Sequence, residues 1–167
     1  MSPTFHRHLL GSAAINAADS RALVESARAL KRGGAALPTR LRGKNIALLC
    51  SERACDSARR FDAAASALGA RVAYIEPAPA WLSDDPPIGA QTARLLESLY
   101  DAVDCEDLPA DFARRLQAQL AVPVYDSLAR DDHPIFGLLP SVAEGGQAPG
   151  DEDRRALLQA ALVSTLL

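Results

Sequence analysis

Apolar positions recur along the chain in two rhythms. In "SRALVESARALKR", residues 20–32, Leu23, Val24, Ala27 and Leu30 fall on one helical face, and Gly33 with Gly34 supplies a stop. Four short apolar runs follow: "NIALLC" from residue 45, "RVAYIE" from 71, "DAVDC" from 101 and "VPVYDS" from 122. Between them lie the helix-like segments "SARRFDAAASALG", "AQTARLLESLY" and "ADFARRLQAQL". In the first of these, Phe61, Ala65 and Leu68 are spaced to meet a sheet, and Gly69 ends the helix.

Strands alternating with helices of this length connect through right-handed crossovers into a parallel sheet covered on both faces. The expected fold class is α/β: three layers, with a four-stranded parallel sheet between helices. After residue 140 the character changes, and "SVAEGGQAPGDED" reads as a flexible connection. The terminal "DEDRRALLQAALVSTLL" opens with acids suited to a helix N-terminus. It then sets Leu157, Leu158, Ala161, Leu162, Thr165 and Leu166 on a broad apolar face that must pack on something. The expected organisation is a domain over 1–140, a linker over 141–150 and a C-terminal helix over 151–167 packed back on the same domain.

Composition narrows the class of partner. The chain has 167 residues, the size of one domain, and 49% hydrophobic with 23% charged residues, as in ordinary globular proteins. A formal net charge of -3 and the absence of a long basic run argue against nucleic acid. No apolar run approaches the roughly 20 residues of a membrane span, and the opening "MSPTFHRHLLGSAAINAADS" lacks the apolar core of a secretory signal. The expectation is a cytoplasmic protein. Cys50, Cys55 and Cys105 are odd in number and form no CxxC pair, so neither a disulfide framework nor a zinc site is expected, and no metal or cofactor.

Candidate chemistry gathers at the expected carboxyl edge of the sheet. A turn feeding a helix N-terminus after the first strand is where open α/β sheets bind anions, and residues 51–60 occupy that place. Ser51, Arg53, Ser57, Arg59 and Arg60 could contact an anion, whereas Glu52 and Asp56 oppose one. The structural alternative is that Ser51 or Asp56 caps the helix and the arginines lie solvated on its outer face. His133, before Pro134, falls at the same edge and either serves the crevice or orders its loop. "DAVDCED" offers Asp104, Glu106 and Asp107 to a metal or to acid–base work, with a solvated acidic loop as the preferred reading. No nucleophilic triad or Walker loop is present; "LRGKNIA" has the wrong spacing, and Lys44 reads as a solvated residue at a strand entry.

Taken in order, these elements resemble the carbamoyl-phosphate domain of the aspartate and ornithine carbamoyltransferase family. "HLLGSAAINAADSRALVESARALK" resembles its first helix and lead-in, and "LRGKNIALLC" its L-x-G-K strand. "FDAAASALGARVAYIEP" is similar to its Phe-Glu helix and second strand, and "QTARLLESLYDAVDC" to its Thr-Ala-Arg helix and Asp-Ala strand. "VPVYDSLARDDHPIFGLLPSV" is similar to its V-P-V-x-N strand and His-Pro helix.

The same resemblance implies a damaged site. The family's phosphate loop is Ser-Thr-Arg-Thr-Arg; counting back from Phe61, its places hold Ala54, Cys55, Asp56, Ser57 and Ala58. Only Ser57 keeps its chemical type, and the phosphate-clamping arginine falls on Asp56, a charge inversion. The arginine beyond the third strand falls on Glu106, and the glutamine three residues after the His-Pro histidine falls on Phe136. The basic loop that reaches a neighbouring subunit is replaced by "SDDPP", with Asp84 and Asp85. His133 and Ser57 are what remain. The amino-acid-binding domain is absent from the stretch between "GLLPSV" and the terminal helix, which resembles the family's last helix.

The resemblance implies a homotrimer, and three functions stay open. One is a catalytically inactive homologue, structural or regulatory, that self-associates or assembles with an active carbamoyltransferase or another metabolic enzyme. Another is a small-molecule module whose remodelled crevice takes an amine or amino acid. The last is a residual transferase of altered substrate using His133 and Cys55, though acidic neighbours would raise the Cys55 pKa and blunt it.

Overall fold

A computed structural model of the chain describes residues 15–33, 39–51, 55–109, 111–143 and 145–167. Helix α1 (Ala17–Arg32) starts earlier than the apolar spacing predicts, because the Asn16 side chain caps it, accepting from the amides of Ala18 and Asp19 at 3.0 and 2.9 Å. Strand β1 (Asn45–Cys50) leads to α2 (Asp56–Ala67) and β2 (Arg71–Ile75). Gly69, at φ 87°, lets the chain leave α2 in the left-handed region that a side chain would resist. A short helix with no counterpart in the periodicity, α3 (Pro79–Ser83), precedes α4 (Ala90–Leu99) and β3 (Ala102–Glu106). Then come α5 (Phe112–Gln117), β4 (Val124–Asp126), a 3-10 turn over Pro134–Leu138, α6 (Leu139–Val142) and α7 (Asp151–Leu166).

The four strands are parallel in the order β2-β1-β3-β4, so the expected α/β sheet forms. Along the strands, alternate residues feed two separate cores, as the period of two requires. Ile46, Leu48, Ala102 and Tyr125 pack under α1, α2 and α7, whereas Ala47, Leu49, Val103 and Val124 pack under α4 and α5. The result is three layers.

Helix α7 is the keystone of the first core. Leu157, Ala160, Ala161 and Leu162 are fully buried, and α1 is its principal neighbour, with α2 beside it. Gln159 donates from Nε2 to the Ala64 carbonyl at 3.2 Å, and Thr165 meets the Tyr125 hydroxyl inside the core. Lys31 pairs with Asp153, whose carboxylate also accepts from the Gly150 amide at 2.9 Å at the start of the helix. Lys44 is not merely solvated: it pairs at 3.0 Å with Asp101, whose other oxygen accepts from the Asn45 amide and ties the start of β1 to that of β3. Among the described residues no helix is long and apolar enough to cross a membrane.

Candidate functional site

The chain runs from β1 to β2 on one side and then crosses to β3 on the other. The carboxyl ends of β1 and β3 therefore flank a topological switch point, the place where open α/β sheets bind ligands. There Cys50 stands in register with Glu106. Strand β4, its following turn and the 3-10 turn close one side, and the first turn of α2 closes the other.

The start of α2 departs from the expected cap. Cys55 is the N-cap and makes no side-chain capping bond; its sulfur lies 3.6 Å from the Ser57 hydroxyl. Asp56 is the first helical residue, exposed and ion-paired with Arg59 one turn on. That pairing satisfies the aspartate locally while its charge still suits the positive end of the helix. Ala58 is buried, Arg59 is exposed, and Arg60 reaches away to the Ala129 carbonyl at 3.2 Å. Ala54, Glu52 and Arg53 lie outside the described residues.

The acidic stretch is where expectation and structure differ most. Asp104 and Glu106 are not in a solvated loop: both lie within β3 and are 0% exposed. Asp104 Oδ1 accepts from the Leu128 amide and Glu106 Oε1 from the Ala129 amide, each at 3.4 Å. Ser127, at φ 52°, turns the chain so that these amides are offered, and its own hydroxyl donates to the Cys105 carbonyl at 3.0 Å. Burial first, and the neighbouring Glu106 charge second, hold the Asp104 carboxyl well above the usual carboxylate range. The Cys105 thiol is likewise pushed up by burial and by the surrounding acids. A partial signal was present for Asp104, which lies inside the expected strand "DAVDC", since a central parallel strand is covered on both faces. Asp107, by contrast, is exposed.

His133 is the N-cap of the 3-10 turn, its Nδ1 accepting from the Ile135 amide at 3.2 Å. That bond leaves the imidazole proton on Nε2. Burial first, then the charge of Arg130, push its pKa down to about 4, so the ring is neutral at pH 7. Its Nε2, like Asp104 Oδ2 and Glu106 Oε2, is buried without a hydrogen-bond partner among the described residues. Arg130 does not serve the crevice either, since it grips Asp132 through Nε at 2.5 Å and Nη2 at 3.1 Å. Phe136 is buried, with the Arg154 guanidinium 4.8 Å from its ring centre. Arg115 of α5 donates to the carbonyls of Leu82 and Asp84 at the start of the "SDDPP" stretch, while Asp84 and Asp85 are exposed.

The edge of the sheet thus gathers Asp56, Asp104, Glu106, Asp107 and Asp126, with the nearby arginines Arg59 and Arg130 already engaged by carboxylates. Among the described residues no group of three or more His, Cys, Asp or Glu could hold a metal ion.

A family-wide sequence profile for the "Aspartate/ornithine carbamoyltransferase, carbamoyl-P binding domain" matches residues 7–140. The chain belongs to the aspartate/ornithine carbamoyltransferase family. Its relatives include the catabolic ornithine carbamoyltransferase of Burkholderia mallei, 35% identical over 138 residues, which cover 80% of this chain and 40% of that protein. The ornithine carbamoyltransferase of Actinobacillus pleuropneumoniae serotype 5b is 31% identical over 131 residues, 77% of this chain and 39% of that one. This carbamoyltransferase homologue therefore spans about two fifths of the length of the curated relatives it matches. Among solved structures, the aspartate transcarbamoylase of Trypanosoma cruzi in complex with phosphate has a TM-score of 0.62 at 22% identity, covering 82% of this chain and 44% of that one. The ornithine transcarbamoylase of Giardia lamblia has a TM-score of 0.60 at 18% identity, over 81% and 41%. These likenesses establish the fold.

Proposed function

We propose that this carbamoyltransferase homologue does not transfer carbamoyl groups and acts instead as a self-associating structural or regulatory protein. The observation that carries the reading is the charge at the switch point: an exposed Asp56 at the first position of α2 and a fully buried Glu106 at the end of β3. A phosphate dianion there would meet carboxylates where it needs donors. Against that loss, the sheet, both cores and the packing of α7 are complete, which fits selection for fold and assembly rather than for turnover.

Calorimetry with carbamoyl phosphate and with N-(phosphonacetyl)-L-aspartate is expected to show no heat of binding, and light scattering on a sizing column a homotrimer. Micromolar binding of either compound would overturn the inactive reading. A monomer at every concentration would overturn self-association, leaving assembly with an active carbamoyltransferase to be asked by mixing the two.

A second reading rests on the unpartnered Asp104 Oδ2, Glu106 Oε2 and His133 Nε2. An unpaired acceptor at Glu106 Oε2 and an unpaired donor at the protonated His133 Nε2 favour an amino acid that donates to one and accepts from the other, or an amine that donates to Glu106 alone. Thermal stabilisation by amines that Glu106→Gln abolishes is the expected result for it, and flat shifts across an amine panel would dismiss it.

A further inference from the structure

Helix α2, the turn after β4, the 3-10 turn and the first turns of α7 enclose a cleft of about 360 Å³ whose lining holds none of Asp56, Asp104, Glu106 and His133. That volume lies in the lower range of small-molecule sites. Three guanidinium groups line it, from Arg60, Arg154 and Arg155, over an apolar floor that includes Ala64, Phe136 and Leu158.

We infer that this cleft is a binding site for a small organic carboxylate with an apolar body. Two of the arginines are held in place before any ligand arrives. Asp131 bridges them, 3.4 Å from Arg60 and 2.8 Å from Arg154, and the Phe136 ring lies under the Arg154 guanidinium. Rigid donors of this kind lose little freedom on binding. Arg60 Nε is buried without an acceptor among the described residues, so donor capacity remains that the protein does not use. Arg155 is exposed and makes no ion pair or hydrogen bond among the described residues, although it sits at the mouth of the cleft.

Charge selects the class of anion. With Asp131 behind the arginines and Asp151 on the rim, three cations face two carboxylates and leave one positive charge uncancelled. That suits a monoanionic carboxylate better than a phosphate dianion, and the planar guanidinium fork matches a carboxylate in two-point contact. The apolar floor then takes the rest of the molecule by burial.

The test is a titration of the full chain, followed by amide NMR at constant ionic strength, with sodium benzoate, inorganic phosphate and benzamidine as probes. Benzoate is expected to give saturable shifts at Ala63, Ala64 and Leu158, with phosphate weaker and benzamidine without effect. Arg155→Gln breaks no hydrogen bond or ion pair among the described residues and is expected to weaken benzoate about tenfold. Unsaturable shifts, shifts reproduced by chloride, phosphate binding tighter than benzoate, or an Arg155→Gln protein of unchanged affinity would each overturn the assignment. Benzoate binding and the carbamoyl-phosphate calorimetry are separate readouts with different ligands, so either can fail alone.

Discussion

Asp104 and Glu106 stand two positions apart on one face of β3, both without solvent contact, each accepting a hydrogen bond from a backbone amide of the turn after β4. Two carboxyl groups so placed cannot both ionise without a large penalty, and the proton is held at Asp104. In the unfolded chain Asp104 ionises near its ordinary value of 3.8; in the fold it does so only at higher pH.

Asp104 therefore withdraws stability as pH rises above about 4, where the unfolded state loses its proton and the folded state keeps it, with a slope of at most about 1.4 kcal/mol per pH unit. Asp104→Asn keeps an acceptor for the Leu128 amide and removes the titration. In urea unfolding at pH 5 and pH 8, the variant is expected to lose less stability between the two than the parent. Parallel losses would show that Asp104 is not the group responsible.

His133 works in the opposite direction. Its folded pKa of about 4 lies below the ordinary histidine value of 6.5, so its contribution is present above pH 6.5 and drains away as pH falls toward 4. The full shift corresponds to about 3 kcal/mol. His133→Asn retains a side chain that can accept from the Ile135 amide and has no titration, so its stability between pH 7 and 4.5 should fall less steeply than the parent's. An imidazole resonance that titrates near 6.5 by NMR would contradict this.

Helix α7 should carry stability out of proportion to its length. Leu162→Ala, at a position of 0% exposure between α7 and the sheet, is expected to lower unfolding free energy by about 2–5 kcal/mol, whereas Leu167→Ala, at 66% exposure, should change it by less than about 0.5 kcal/mol. Denaturant midpoints of the two variants decide it.

Restoring one charge should not restore a phosphate site. Asp56→Arg removes an exposed pair with Arg59 and should alter stability by less than about 1 kcal/mol. Carbamoyl phosphate should still give no heat with this variant, because Glu106 stays buried at the edge of β3. Measurable binding by the single variant would place the obstacle at Asp56 alone.

Much of the architecture is legible in one dimension. The helix through Leu23, Ala27 and Leu30, the strands of the sheet, and the helix through Phe61, Ala65 and Leu68 follow from local periodicity and from Gly69, because spacing dictates which side of an element is apolar. The acid at the first position of α2, Asp56, is legible in the same way. What Asp56 does is equally local, since an arginine three residues along a helix is within reach.

Tertiary packing decided the rest. Whether Asp104 and Glu106 would be wet or dry depended on a turn more than twenty residues later bringing the Leu128 and Ala129 amides to them. The histidine's depressed pKa likewise comes first from burial, which its neighbours in sequence do not set, and only then from the charge of Arg130. The arginine cleft joins Arg60 to Arg154 and Arg155 across more than ninety residues. Apolar rhythm is written into consecutive positions, whereas desolvation and the pairing of charges distant in sequence are properties of space, and they exist only once the chain has folded.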